Sequence, residues 1–253
     1  MTGRAATVPV AGWRSTTSLE AGRLVFTGAV AGTDTHAHAA VQILLVTSGR
    51  VELTDAHGTR QPVRAAIIPS RARHAVRGGP DATATMIYLD PAHATAHHLT
   101  TALNRGGHDR VEEWAAAADA LLPPPAAPAT LLDRWSAPPT ARHPVLQAAA
   151  ALLPDLLEGP VRLTDLAAAV GLSASRLGHL LAAELALPFP AYLRWARLRK
   201  AVELARDGAT LTEAAHGAGF ADSSHLTRVC REMFGLAPSH LLPVIRPGPA
   251  DPA

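Results

Sequence analysis

The chain has 253 residues, 48% hydrophobic, 17% charged and 4% aromatic, with a formal net charge of +2. That length suits two ordinary domains, each able to bury a core. A lone cysteine, Cys230, excludes an internal disulfide and a cysteine-based zinc site; it falls in an apolar helical phase and reads as core.

The first dozen residues lack an apolar signal core, and no stretch is long enough to span a bilayer without interruption, so the expected location is the cytoplasm, with no membrane partner. Charge is unevenly spread. Residues 1–160 hold 13 basic and 13 acidic side chains, whereas 161–243 hold 9 basic and 7 acidic. The surplus sits in the C-terminal part, as nucleic-acid binding requires, but it is small.

From about residue 15 to 90, short apolar runs alternate with Gly, Pro, Asp and Ser turn signals: Leu24–Phe26 and Val30, Val41–Val46, Val51 and Leu53, Val63 with Ile67 and Ile68, and Met86–Leu89. Many short strands at such intervals predict a small β-barrel or sandwich. Within them Gly32, His36, His38, Gln42 and Gly49, followed by Pro69 and His74, resemble the two motifs of the cupin barrel. Gln42 stands where that family has glutamate, and Arg71 where it has glycine.

Positions 36, 38 and 42 share parity, so on one strand their side chains point the same way, with His74 arriving from another strand. This set reads two ways. His36, His38, Gln42 and His74 can line a pocket for an organic effector, or His36, His38 and His74 can hold a divalent metal such as Zn²⁺, Fe²⁺, Mn²⁺ or Ni²⁺. A neutral amide at 42 withholds the anionic ligand that favours a hard ion.

Two helices are expected next, over about 91–104 and 109–122. The second carries Val111, Trp114, Ala115, Ala118, Leu121 and Leu122 on one face, either to pack on the barrel or to pair two copies of the chain. The run Pro123, Pro124, Pro125, Ala126, Ala127, Pro128 predicts a semi-rigid extended linker.

Two helix-turn-helix patterns follow, over Leu163–Leu177 and Leu211–Leu226, with the turn glycines Gly171 and Gly219 48 residues apart. In each a small residue, Ala167 or Ala215, allows close helix crossing, and the glycine four positions on supplies positive φ. Thr164 and Thr212 are the expected caps of the first helices, Ser173 and Asp222 of the second. Between the motifs, Ala191 to Arg206 has helical apolar periodicity, with Pro190 opening it and Gly208 closing it. Its basic residues Arg194, Arg197, Arg199, Lys200 and Arg206 are candidates for phosphate contact, Arg197 foremost.

The stretch Tyr192, Arg197, Leu198, Ala201, Leu204, together with Gly219, Phe220, Asp222, Ser224, His225, Arg228, Phe234, Gly235 and Pro238, resembles the DNA-binding domain of AraC/XylS transcription regulators over about 141–243. Leu226, Cys230 and Glu232 depart from that pattern, as do Leu241 and Leu242. The resemblance implies base-facing positions early on each recognition helix: Ser175, Arg176, Gly178 and His179 in the first, Ser223, Ser224, Thr227 and Arg228 in the second. Arg176 has the donor pair that reads a guanine edge.

The expected architecture is α+β in two domains. A cupin-like effector-binding and dimerisation domain covers 1–122, a Pro/Ala-rich linker 123–140, an all-α double helix-turn-helix domain 141–243, and a tail 244–253. The expected function is a sequence-specific, non-enzymatic DNA-binding regulator working on double-stranded DNA as a homodimer under a small-molecule effector, contacting RNA polymerase if it activates. Two rivals are a metal-dependent cupin enzyme with an accessory helical domain, and a helical module that binds protein instead of DNA.

Overall fold

The computed structural model describes residues 15–20, 22–103, 109–122 and 143–245. Eight antiparallel strands form two sheets. The larger has the order β1 (Ser15–Glu20), β2 (Arg23–Ala29), β8 (Thr83–Leu89), β3 (Val41–Ser48), β6 (Ala65–Ile68); the smaller runs β5 (Arg60–Val63), β4 (Val51–Thr54), β7 (Ala75–Gly78). An isolated bridge pairs His36 with His74.

The larger sheet is buried on both faces, which explains its near-continuous apolar runs. Leu44, Ala66, Ile68, Met86, Tyr88, Leu24 and Phe26 face one core, and Gln42 shares their parity on β3. Val25, Val41, Ile43, Leu45, Ile67, Ile87 and Leu89 face the other, closed by α1 (Ala94–Leu103) and α2 (Val111–Leu121) through Ala96, Leu99, Leu103, Ala118 and Leu122. Val111, Trp114 and Ala118 of the α2 stripe are buried within this one chain, so the stripe serves as core. Strands β5 and β7 are polar at alternate positions, and their weak apolar signal hid them from periodicity.

The helical part comprises α3 (Pro144–Leu156), α4 (Leu163–Ala169), α5 (Ala174–Leu185), α6 (Phe189–Arg206), α7 (Leu211–Gly217), α8 (Ser223–Phe234) and α9 (Pro238–Ile245). The expected linker at 123–140 lies outside the described residues, as do positions 246–253 of the expected tail. Helix α6 is 18 residues long, about 27 Å at 1.5 Å per residue. It buries Tyr192, Trp195, Leu198, Ala201, Val202 and Ala205. Helices α4 and α5 meet at 93°. Among the described residues no single helix is long and apolar enough to cross a membrane.

The two halves share a continuous apolar core, joined where Phe234 of α8 meets Phe26 and Tyr88 of the large sheet.

Candidate functional site

Both turns have the backbone the sequence predicts, with φ of +71° at Gly171 and +75° at Gly219. Gly219 is doubly constrained, since a Cβ there would stand 2.1 Å from the Leu157 carbonyl oxygen. Ser173 caps α5 by accepting from the Arg176 N–H at 3.3 Å, and Asp222 caps α8 by accepting from the His225 N–H at 2.7 Å. The first helices begin differently from expectation. Arg162 occupies the N-cap of α4 with no side-chain bond, while the Thr164 hydroxyl donates to Asp165. Helix α7 is capped by Thr210, not Thr212: Thr210 Oγ1 accepts from the Glu213 N–H at 3.2 Å, and Glu213 accepts from the Thr210 N–H at 2.8 Å. This reciprocal box satisfies two otherwise orphaned donors, which a threonine two residues inside the helix cannot do.

The candidate base-reading side chains lie on the outer sides of α5 and α8. Ser175, Arg176, His179, Ser224 and Arg228 are exposed, and Ser223, Thr227 and Gly178 are half-buried. Thr227 donates its hydroxyl to the Ser223 carbonyl, and the His225 ring packs edge-on against Phe220 at 5.2 Å, a scaffold contact. Opposite these positions, Leu226, Val229, Cys230, Met233 and Phe234 anchor α8 in the core. Burial pushes the Cys230 thiol up to about 12, which suits an inert core residue.

The basic residues of α6 are engaged within the chain. Arg197 donates to the Gly159 carbonyl at 3.2 Å and packs beside Gly219, and its burial disfavours the charged form. Arg194 donates to both oxygens of Glu232 on α8, at 2.9 and 3.1 Å. The acidic departure at 232 therefore has a partner. Arg199 pairs with Asp90 just past β8, Lys200 with Glu203, and Arg206 with Asp207.

In the N-terminal half the four cupin-motif residues come together. His36, His38, Gln42 and His74 are all buried, and one ring nitrogen of each histidine lies within 4.8 Å of the others. Each Nδ1 is 2.9 Å from a backbone carbonyl: Asp34 for His36, Ala40 for His38, Ala72 for His74. A carbonyl only accepts, so each Nδ1 carries the proton and each Nε2 is left as a lone pair. Burial holds all three imidazoles neutral; that of His36 is pushed down to about 3, with His38 adding to the effect.

The Gln42 amide sits 3.0 Å from both His38 Nε2 and His74 Nε2, with its other end 3.4 Å from the Tyr88 hydroxyl. Two lone pairs need two donors, which only the amide NH₂ supplies, so the amide turns its nitrogen to the imidazoles and its oxygen to Tyr88. His36 Nε2 remains buried without a partner. Three neutral nitrogen donors in a desolvated cluster fit a borderline-soft divalent ion such as Zn²⁺, and ill suit Mg²⁺ or Ca²⁺, which require oxygen. Arg71, in place of the motif glycine, adopts φ +67°.

The mouth of this cluster is stopped by the C-terminal end of α8. Asp34 N–H donates to the Gly235 carbonyl and Ala37 N–H to the Glu232 carbonyl, both at 3.1 Å. Phe234 stacks edge-on against Tyr88 at 5.3 Å, Phe26 at 6.4 Å and Trp195 at 6.4 Å. The cavity left among Phe26, His36, Tyr88, Phe234 and Leu241 is only about 20 Å³. A second cavity, of about 220 Å³, opens between α3, α6 and Asp90, walled by Leu153, Leu157 and Tyr192 with Arg199 and Lys200 beside them.

Residues 166–242 match a family model described as a helix-turn-helix domain. No curated protein matches the chain. Among solved structures, the chain is similar to ToxT from Vibrio cholerae O395, at 12% identity and a TM-score of 0.55, over 89% of this chain and 99% of that one. It is also similar to ToxT bound to (E)-4-(8-methylnaphthalen-1-yl)but-3-enoic acid, at 12% identity and a TM-score of 0.53, over 93% and 100% of the two chains. A third, ToxT of strain SCE256 with an unsaturated fatty acid bound, has 11% identity and a TM-score of 0.51, over 84% and 90%.

Proposed function

We propose that this chain, whose C-terminal half is an AraC-type helix-turn-helix domain, is a one-component transcription regulator that reads double-stranded DNA and answers to a ligand held by its N-terminal domain. The observation carrying this reading is the pair of capped helices, α5 and α8, whose early side chains face solvent while their opposite sides anchor the core. Ser175, Arg176, His179, Ser223, Ser224, Thr227 and Arg228 are its base- and backbone-contacting set. Arg197 supports the reading surface from behind, by bracing Gly159 and Gly219.

The effector site of this reading is the pocket of His36, His38, Gln42 and His74. A cavity of about 20 Å³ admits little more than an ion or a water, so a ligand there is small. A larger organic effector has a separate home in the cavity of about 220 Å³ beside Tyr192. The ToxT structures that hold organic acids support a small-molecule effector on this fold. The rival reading, a metal-dependent enzyme, needs room for a substrate beside the imidazoles, where Phe234 now sits.

Action as a homodimer in the cytoplasm, with RNA polymerase as partner in activation, belongs to the same proposal. The small charge surplus favours two linked copies on one operator. Selection of bound fragments from a random DNA pool by the full chain tests the core claim. Enrichment of one motif whose binding weakens steeply with salt is expected, and no enrichment at low salt would refute it.

A further inference from the structure

Resting on the regulator reading, we infer that the histidine cluster senses a divalent transition-metal ion and that the second recognition helix reads its occupancy through His36 and Gly235. The chemistry of the ligand follows from the donors. Three Nε2 lone pairs converge in a desolvated space, each ring fixed at Nδ1 by a backbone carbonyl. Two of those lone pairs are satisfied by the Gln42 amide and the third, on His36, by nothing. An organic ligand has no room, while an ion replaces the amide's two hydrogen bonds and gives His36 its missing partner.

The coupling follows from where His36 stands. Tetrahedral coordination at about 2.0–2.1 Å per nitrogen requires the nitrogens to sit about 3.3 Å apart, closer than the 4.8 Å span of the cluster. His36, the ring with an unbonded Nε2, is the one free to close that gap. Its other nitrogen lies 2.7 Å from the position a Cβ on Gly235 would occupy, and such a Cβ would stand 2.4 Å from the Asp34 carbonyl oxygen. The 33–37 segment that carries His36 is hydrogen-bonded to the end of α8 at Gly235 and Glu232. Any inward shift of His36 therefore pulls on the base of a recognition helix. A second route runs from Gln42 through Tyr88 to Phe234.

The test uses the full chain, stripped of metal, with cobalt(II) and zinc(II) chloride as probes. Binding of one Co²⁺ per chain with visible ligand-field absorption, displaced by Zn²⁺, is expected. Gln42→Glu, which adds an anionic ligand, is expected to bind Zn²⁺ several-fold more tightly, a gain that misfolding cannot imitate. Zn²⁺ is expected to shift the affinity for the selected DNA by about fivefold or more. Gly235→Ala should retain one Zn²⁺ per chain yet lose that shift, its fold being checked by circular dichroism. Failure of Co²⁺ and Zn²⁺ to bind the folded chain would overturn the metal assignment. Stoichiometric binding without a DNA shift would overturn the coupling. In both cases sequence-selective DNA binding by the metal-free chain would leave the regulator reading standing, whereas its absence at every metal concentration would remove that reading itself.

Discussion

Asp90, just past the end of β8, is bonded to Arg199 in the third turn of α6, 109 residues further along the chain. The same carboxylate accepts from the Tyr192 hydroxyl at 3.3 Å, the Trp195 indole N–H at 3.2 Å and the Ala92 N–H at 2.7 Å. One buried anion thus locks the helix between the two reading motifs onto the sensor sheet. Asp90→Ala leaves those donors unanswered in a site where the aspartate is 4% exposed. A loss of about 2 to 4 kcal/mol in unfolding free energy is expected, below the cost of a fully buried pair because Arg199 is partly solvated. Urea denaturation measures it, and a loss under about 0.5 kcal/mol, the scale of ordinary surface changes, would show that the junction does not depend on this residue.

Arg176 is exposed at the start of α5, with its backbone already fixed by the Ser173 cap. Arg176→Ala is expected to leave the thermal midpoint unchanged, to relax preference at one base position and to cost about 1 to 3 kcal/mol in binding. The binding profile on a randomised DNA pool reports it. An unaltered profile would remove Arg176 from the base readers.

Thr210 holds the start of the second motif through its reciprocal bonds with Glu213. Thr210→Ala should destabilise the domain by about 1 kcal/mol, whereas Thr212→Ala, inside the first turn, should change stability by only a few tenths. Equal effects in chemical denaturation would contradict the cap assignment.

Acidification should weaken the metal-free protein. Burial lowers the affinity of His36, His38 and His74 for protons in the folded chain, to about 3 for His36, while the unfolded chain takes protons up near 6.5. Below that pH the unfolded state binds more protons, so stability falls as pH falls and is constant above it. Each imidazole contributes a slope of about 1.4 kcal/mol per pH unit. Urea midpoints at about pH 8, 6 and 5 give the trend; a midpoint that rises on acidification would mean that the cluster is charged when folded.

Much of this was legible before any coordinates. The turn glycines, the caps at Ser173 and Asp222, the long helix between the motifs and the convergence of His36, His38, Gln42 and His74 all follow from spacing and parity. The cap at Thr210 was also legible, because Thr210-x-x-Glu213 is a capping-box pattern, but it lay one position outside the apolar register that was used to place the helix. Strands β5 and β7 were hidden because Arg60, Pro62 and Arg77 break the apolar alternation on the solvent side. The roles of Asp90, Phe234 and the arginines of α6 were not readable. Each depends on a partner far along the chain, and local periodicity reports a face without naming what lies against it.

Phe234 contacts Trp195 on its own side of the junction and Phe26 and Tyr88 on the other. A fragment cut at the proline run would therefore turn a stopper into a bare aromatic patch at the heel of its own reading head. Work on the DNA-binding half alone would begin with a molecule inclined to self-associate, and with the link between ligand and operator already severed.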